Sequence, residues 1–459
     1  MPEKDDLLYA KKSIYETITE TELARSEEYC IEYKSYLDNA KTERESVAEA
    51  IKLAAVRGFK PYKRGMPLKP GAKIYMDVGG KTMILAVIGK KPLSEGVNIA
   101  AAHIDSPRLD LKQVPLYEDG DMAFFKTHYY GGIKKYQWVA QPLALHGVVI
   151  KKDGTTVNIV VGEDEDDPAF MITDLLPHLG KDQDKKALGE AFTGENLNIL
   201  AGTYPTGSKD DKDRVKQTVM KALNTKYGII EEDFMSAEIE AVPLMKARDV
   251  GFDRSMIGAY GHDDRSSSFA ALKAILDVKN PPMTAVSILV DKEEIGSEGV
   301  SGMQSAMFEY FMEELCEASG VKLRDCFKES FCLSGDVCTA FDPNFAEVSD
   351  KQNSAKLGFG MSVLKYTGVR GKGGASDASA EVIAMLRGLF EKKGVAWQMG
   401  SLGKVDQGGG GTVAKYMANR NIATIDAGVP VLSMHAPYEI VSKLDCYMTY
   451  KGILAIFER

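Results

Sequence analysis

The chain has 459 residues, 44% hydrophobic and 27% charged, a balance expected of a folded protein with a full apolar core in one large domain or two. Its 57 Lys and Arg against 66 Asp and Glu give a formal charge of −9, and no basic aromatic cluster offsets it, which argues against non-specific nucleic-acid binding. No apolar run approaches the roughly 20 residues of a membrane span, and the start MPEKDDLLYAKK is charged without an apolar signal core, so a cytoplasmic protein that binds no membrane is expected.

In chain order, the first sixty residues read as helical. Thr42 and Glu45 have capping-box spacing ahead of VAEAIKLAAV, and Gly58 is a stop signal. KIYMDV and KTMILAVIG flank Gly79 and Gly80 as a hairpin. Val97 to Ala102 is a short buried strand that ends in His103 and Asp105. From about Gln113 the texture becomes β-rich with polar loops, including a hairpin turning at Asp153 and Gly154. A helix over Val215 to Tyr227 and an alternating strand SAEIEAV follow. This predicts a second domain over 113–250, inserted between 1–112 and 251–459 of the first.

After Gly261 strand–helix alternation returns, beginning with a helix near Arg265. Thr284 to Val290 is an apolar run that stops abruptly at Asp291, Lys292, Glu293 and Glu294. Gly302 to Val321 reads as helix, and FCLSGD as a strand ending at Asp336. Ser376 to Lys393 is helical, and the Gly-rich loop Gly408 to Gly411 precedes a helical Thr412 to Arg420. A last short strand, Val429 to Ser433, leads to His435. The pattern predicts an α/β fold: an αβα sandwich with a mostly parallel central sheet, plus the β-rich insertion. The six cysteines, Cys30, Cys316, Cys326, Cys332, Cys338 and Cys446, form no CxxC pair and read as buried or free thiols.

Five stretches share one layout. His103 with Asp105, Asp263, Glu293 with Glu294, Asp336, and His435 all lie at a strand end or a helix start. In a parallel sheet such ends point one way and can meet in one crevice. Taken singly, each has a plain reading: Asp263 as a helix N-cap, Glu293 and Glu294 as a solvated acidic turn, Asp336 as a turn residue, His103 and His435 as packed histidines. Together, two His and several carboxylates without Cys suit zinc, manganese or cobalt. Five ligands are too many for one catalytic zinc that keeps a water. They suit two ions roughly 3.5–4 Å apart, bridged by one carboxylate.

The stretches AAHIDSPRLDLK, GHDDRSSSFAAL, VDKEEIGSEG, SGDVCTAFDPNF and SMHAPYE, in that order from Ala101 to Glu439, closely resemble the aspartyl aminopeptidase and aminopeptidase I family of dizinc exopeptidases, its bacterial branch best. The resemblance implies an αβα catalytic domain interrupted by an assembly domain, and a homo-oligomer, typically a dodecamer. It implies two Zn2+ per subunit, with Co2+ or Mn2+ as substitutes. By motif, His103 and Asp336 would bind one ion, Glu294 and His435 the other, and Asp263 would bridge. Asp105 would orient His103, and Glu293 would be the general acid/base. Lys365 in SVLKYTG and His178 in LLPHL match substrate-site residues of relatives, the histidine one reaching a neighbouring subunit.

The implied activity is removal of N-terminal residues from peptides with a free N-terminus. KKYQWVAQPL, over 134–143, lacks the acidic and arginine residues of the animal aspartyl enzymes, and VDQGGGGTV replaces a less Gly-rich segment. Preference for N-terminal Asp or Glu and a broader, neutral preference therefore both stand. The Gly-rich loop reads as a connector or as an anion cradle; no GKS or GKT follows it, which excludes a phosphate loop. The competing classes are a related dizinc carboxypeptidase or amidohydrolase, and an assembly protein without catalysis.

Overall fold

The computed structural model describes residues 7–459, so the first six residues of the charged start lie outside it. The chain forms two compact units. The first takes in the chain up to Asp105, Ala247–Met434 and Glu439–Arg459; the second takes in Ser106–Lys246 and His435–Tyr438.

The first unit is built on a nine-stranded sheet. Its strands lie in the order Lys60–Pro61, Lys73–Val78, Thr82–Val87, Thr284–Val290, Val97–His103, Phe331–Gly335, Ala423–Gly428, Met361–Leu364 and Trp397–Met399. Five of the eight neighbouring pairs are parallel, as expected. Every residue of Thr82–Val87, Val97–His103 and Thr284–Val290 is buried. A strand buried on both faces needs cover on both, and alternate side chains find it. Met83, Leu85 and Val87 join one core with Tyr33, Phe269, Phe390 and Ile453 from the helices Glu20–Asn39, His262–Asp277, Ala380–Lys393 and Lys443–Phe457. Ile84 and Ala86 join the opposite core with Phe311 and Phe327 from Met307–Ala318 and Leu323–Lys328. This is the αβα sandwich.

Local signals account for the elements. Thr42 and Glu45 form the capping box of Glu43–Val56. Lys73–Val78 and Thr82–Val87 pair antiparallel across Gly79 (φ 65°) and Gly80 (φ 70°), left-handed values that favour glycine in a tight hairpin. The helix predicted from Ser376 begins only at Ala380, because the Ser379 side chain caps it by accepting from Val382 N–H. All six cysteines are buried and free. No described helix is long and apolar enough to cross a membrane.

A separate five-stranded sheet in the same unit joins Arg248–Val250, Met256–Ala259, Glu439–Ser442, Pro430–Leu432 and Cys338–Thr339. The second unit carries a six-stranded sheet whose pairings are all antiparallel, in the order Thr156–Val161, Leu143–Ile150, Ala237–Pro243, Arg108–Asp119, Met122–Tyr130 and Ile199–Gly202. The helix Arg214–Tyr227 belongs to it. The change of texture at 112/113 falls inside the strand Arg108–Asp119, and the one at 250/251 falls just after Arg248–Val250, which pairs within the first unit. Composition registers the character of loops, whereas a strand runs on until its ladder ends.

Candidate metal centre

Three adjacent parallel strands deliver the site. Thr284–Val290 pairs with Val97–His103 in a register that sets Val290 against His103, and Val97–His103 pairs with Phe331–Gly335 on its other side. Their carboxyl ends therefore lie side by side, with His103 closing one strand, Asp336 following another and Glu293 three residues beyond the third. The interiors of these strands are mostly apolar, and their acidic and imidazole side chains begin at the carboxyl ends.

Asp263 arrives differently. It follows Met256–Ala259 of the five-stranded sheet and stands second in the helix His262–Asp277. Asp263 (φ −83°, ψ 107°) and Asp264 (φ −117°, ψ 38°) depart from helical geometry, and the peptide between them is cis. The N-cap reading is overturned at Asp263: its Oδ1 lies 3.1 Å from His103 Nε2, and its own N–H donates to Glu439 Oε2 at 3.0 Å. His435 likewise follows a strand of the smaller sheet, Pro430–Leu432, so a single parallel sheet does not supply all five stretches.

His103, Asp263 and Asp336 each offer one ligand atom, and these atoms lie within 4.8 Å of one another. Asp263 and Glu294 approach each other within the same limit. Glu293 Oε2 is 4.0 Å from His103 Nε2, and its side chain is 16% exposed against 1% for His103, which leaves Glu293 able to meet solvent. His103 Nδ1 faces the Asp105 carbonyl at 3.0 Å and Asp105 Oδ1 at 3.3 Å. That pairing puts the proton on Nδ1 and turns Nε2 towards the carboxylates. Asp105 has a second task that the motif did not disclose: its two carboxylate oxygens accept the N–H groups of Glu293 and Glu294, each at 3.2 Å.

The electrostatics mark the cluster as built for a cation. Burial alone would lower the His103 pKa, but hydrogen bonds to Asp105 and Asp263 and the nearby charges hold it well above its ordinary value. Asp336 is driven well above the carboxylate range, first by burial and then, against the pull of His103, by Glu293, Asp264 and Asp263. Asp264 is driven up in the same way, first by burial. The acids around this one imidazole repel each other, and a divalent cation among them relieves that repulsion. The donors are nitrogen and oxygen without sulfur, and they fit zinc.

The remaining predicted residues are Lys365, His178 and His435. Lys365 follows the strand Met361–Leu364, is half-exposed, and pairs with Asp377 at 2.9 Å. His178 is exposed in a turn of the second unit. His435 belongs to the second unit's piece His435–Tyr438; its Nδ1 lies 2.8 Å from the Gly132 carbonyl, which puts the proton on Nδ1 and makes Nε2 the acceptor nitrogen. The first half of the Gly-rich loop is packed against backbone, since a Cβ at Gly409 would fall 1.8 Å from the Gly368 carbonyl oxygen, whereas Gly410, which accepts from Gly368 N–H, and Gly411 have open space where a Cβ would stand.

Tyr33 and His262 are supporting residues that the sequence reading missed. His262 is fully buried, with Nδ1 2.7 Å from the Tyr33 hydroxyl and Nε2 3.1 Å from the Ile257 carbonyl. Burial pushes its pKa down to about 3. The unfolded imidazole takes a proton near pH 6.5, whereas the folded one resists to about pH 3, so the unfolded chain binds more protons between those values. Stability from this residue is therefore complete above pH 6.5 and is lost as pH falls. Denaturant melts of wild type and His262→Gln from pH 7 to pH 4 should differ in slope by about 1.4 kcal/mol per pH unit. Equal slopes would contradict it.

Comparison with known proteins gives one consistent result. Residues 36–457 match the family described as "Aminopeptidase I zinc metalloprotease (M18)". The chain is 50% identical over 459 residues to a probable M18 family aminopeptidase 1 of Clostridium acetobutylicum, covering 98% of this chain and 99% of that one. Among solved structures, an M18 family aminopeptidase of Thermotoga maritima superposes with a TM-score of 0.94 at 43% identity, covering 98% of this chain and 100% of that one. The S. cerevisiae mApe1 dodecamer, at 21% identity and TM-score 0.76 over 93% of this chain and 96% of that one, shares the fold.

Proposed function

The chain belongs to the M18 family of aminopeptidase I zinc metalloproteases and is a metallo-aminopeptidase, and from that premise we propose that it works with two zinc ions per subunit. The observation that carries the reading is the convergence of His103, Asp263 and Asp336 beside Glu293 at the ends of adjacent strands. His103 and Asp336 would hold one ion, Glu294 and His435 the second, and Asp263 both. The Nδ1 contacts of both histidines support this, since each leaves Nε2 as the donor atom.

Bound zinc supplies Lewis acidity, lowering the pKa of a water from about 15.7 towards 7 and polarising a carbonyl. The protein's own residues do the rest. Glu293 takes the proton of the attacking water and returns it to the leaving amine nitrogen. Its partial exposure suits that shuttle, whereas buried His103 and Asp263 are placed to stay fixed. Asp105 holds His103 by its ring and the acidic turn by its backbone.

The proposal extends to substrate and assembly. Acidic N-termini would be preferred, with Lys365 as the positive charge that receives them, in competition with its present partner Asp377. The chain would assemble as a homo-oligomer, a dodecamer by likeness to the yeast assembly, with 106–246 as the assembly unit, His178 serving a neighbouring subunit's site, and the cytoplasm as its location. One screen tests the chemistry: stripped protein given zinc, cobalt or manganese, assayed on free-amine and N-acetylated amides across N-terminal residues. The reading expects hydrolysis only of the free amines, fastest for Asp and Glu. Cleavage of acetylated amides would point to the amidohydrolase class, and equal rates on neutral residues would remove the acidic preference. A chain that sediments as a monomer with full activity would remove the assembly role of His178.

A further inference from the structure

We propose that Thr82, Ser301 and Asp291 form a closed hydrogen-bonded clasp that positions Glu293 and Glu294, which makes Thr82 and Ser301 positioning residues for the proton transfer; this rests on the reading of Glu293 as the base. The Asp291 N–H donates to Thr82 Oγ1 at 3.0 Å. Thr82 Oγ1 donates to the Ser301 carbonyl at 2.6 Å. Ser301 Oγ donates back to Asp291 Oδ2 at 2.6 Å. One hydroxyl that accepts once and donates once, and a second that donates to a carboxylate, close the ring, and all three residues are buried.

The turn between Asp291 and Ser301 needs such a hold. Its backbone enters the left-handed region at Lys292 (φ 69°), Gly296 (φ 101°), Ser297 (φ 60°) and Gly299 (φ 84°), so no ladder or helix can run through it. The three-residue helical turn Glu293–Ile295 is tied to itself, by Gly296 N–H to the Glu293 carbonyl and Ser297 N–H to the Lys292 carbonyl. Those bonds shape the turn but do not fix it to the sheet. The clasp does. The antiparallel pairing of Thr284–Val290 with Thr82–Val87 is last seen at Leu289 against Met83, and Thr82 extends it by a side chain after the backbone ladder has ended. On the opposite flank, Asp105 beyond the neighbouring strand Val97–His103 holds the Glu293 and Glu294 N–H groups. The two acids are thus gripped from both adjacent strands. The Asp291 to Ser301 link is buried, where each hydrogen bond resists exchange with water. A displacement of about 1 Å in a group that must reach a reacting proton costs on the order of a hundredfold in rate.

The test uses zinc-loaded full-length protein and a free-amine amino-acid amide. Thr82→Val keeps the shape and removes the hydroxyl; Ser301→Ala removes the bond to Asp291; Thr82→Ser restores a hydroxyl. Thr82→Val and Ser301→Ala should lower kcat by about tenfold to a hundredfold, with KM, zinc content and melting temperature close to wild type. Thr82→Ser should recover most of the loss. Wild-type kcat in folded, zinc-loaded Thr82→Val overturns the clasp, as does a loss that only follows melting temperature or zinc content. If Thr82→Val does not fold, Ser301→Ala and Thr82→Ser decide by the same criteria. Glu293→Gln assayed alongside separates the premises: if it stays active the base assignment fails and the clasp falls with it, whereas if it is inactive while both clasp variants turn over normally, the clasp alone is wrong.

Discussion

Glu293→Gln is expected to lower kcat by about a hundredfold to ten-thousandfold while zinc content, KM and melting temperature stay near wild type. The amide keeps the size of the side chain and its place 4.0 Å from His103 Nε2, but it cannot accept the proton of the attacking water. The acid's backbone hold is also untouched, because Asp105 grips the Glu293 N–H rather than its carboxylate. Steady-state kinetics with metal analysis of the same sample is the measurement. Full turnover at full zinc occupancy would assign the proton transfer to another group.

Asp263→Ala should have the second largest effect, and through the metals instead. Asp263 offers carboxylate oxygens close to ligand atoms of both His103 and Glu294, so under the proposed bridging role its removal would take a ligand from each ion at once. Zinc per subunit should fall from two towards none, and kcat/KM should fall beyond the 10–100-fold that loss of a supporting residue costs. His435→Ala should instead spare the ion proposed to sit between His103 and Asp336. Two retained zinc equivalents in Asp263→Ala, by elemental analysis after dialysis, would disprove the bridging role.

Glu293 and Glu294 show how much was legible in advance. An apolar run that ends in two acids is a buried strand with a site at its tip or a solvated turn, and the run alone does not choose. The recurrence of that layout at His103 and Asp336 does choose, and the large sheet places these three ends side by side. Asp263 enters the candidate site by motif only, since its position at a helix start argues for a cap. Its carboxylate turns to His103 because the backbone leaves helical geometry there, and nothing in the local pattern signals that. Lys365 and His178 came from likeness to relatives, and neither their spacing nor their neighbours offered a physical reason for a role.

By itself the sequence determined the sandwich, the acidic and imidazole strand tips, the β-rich insertion and the family motifs, because period and burial are local properties that each segment carries alone. The tertiary structure alone decided that two of the five stretches hang from a smaller sheet, that Asp105 grips a turn 188 residues away, and that Thr82 meets Asp291 across 209 residues. Those contacts depend on which buried strands come to lie beside each other, and that choice is made by the packing of the whole core rather than by any stretch within it.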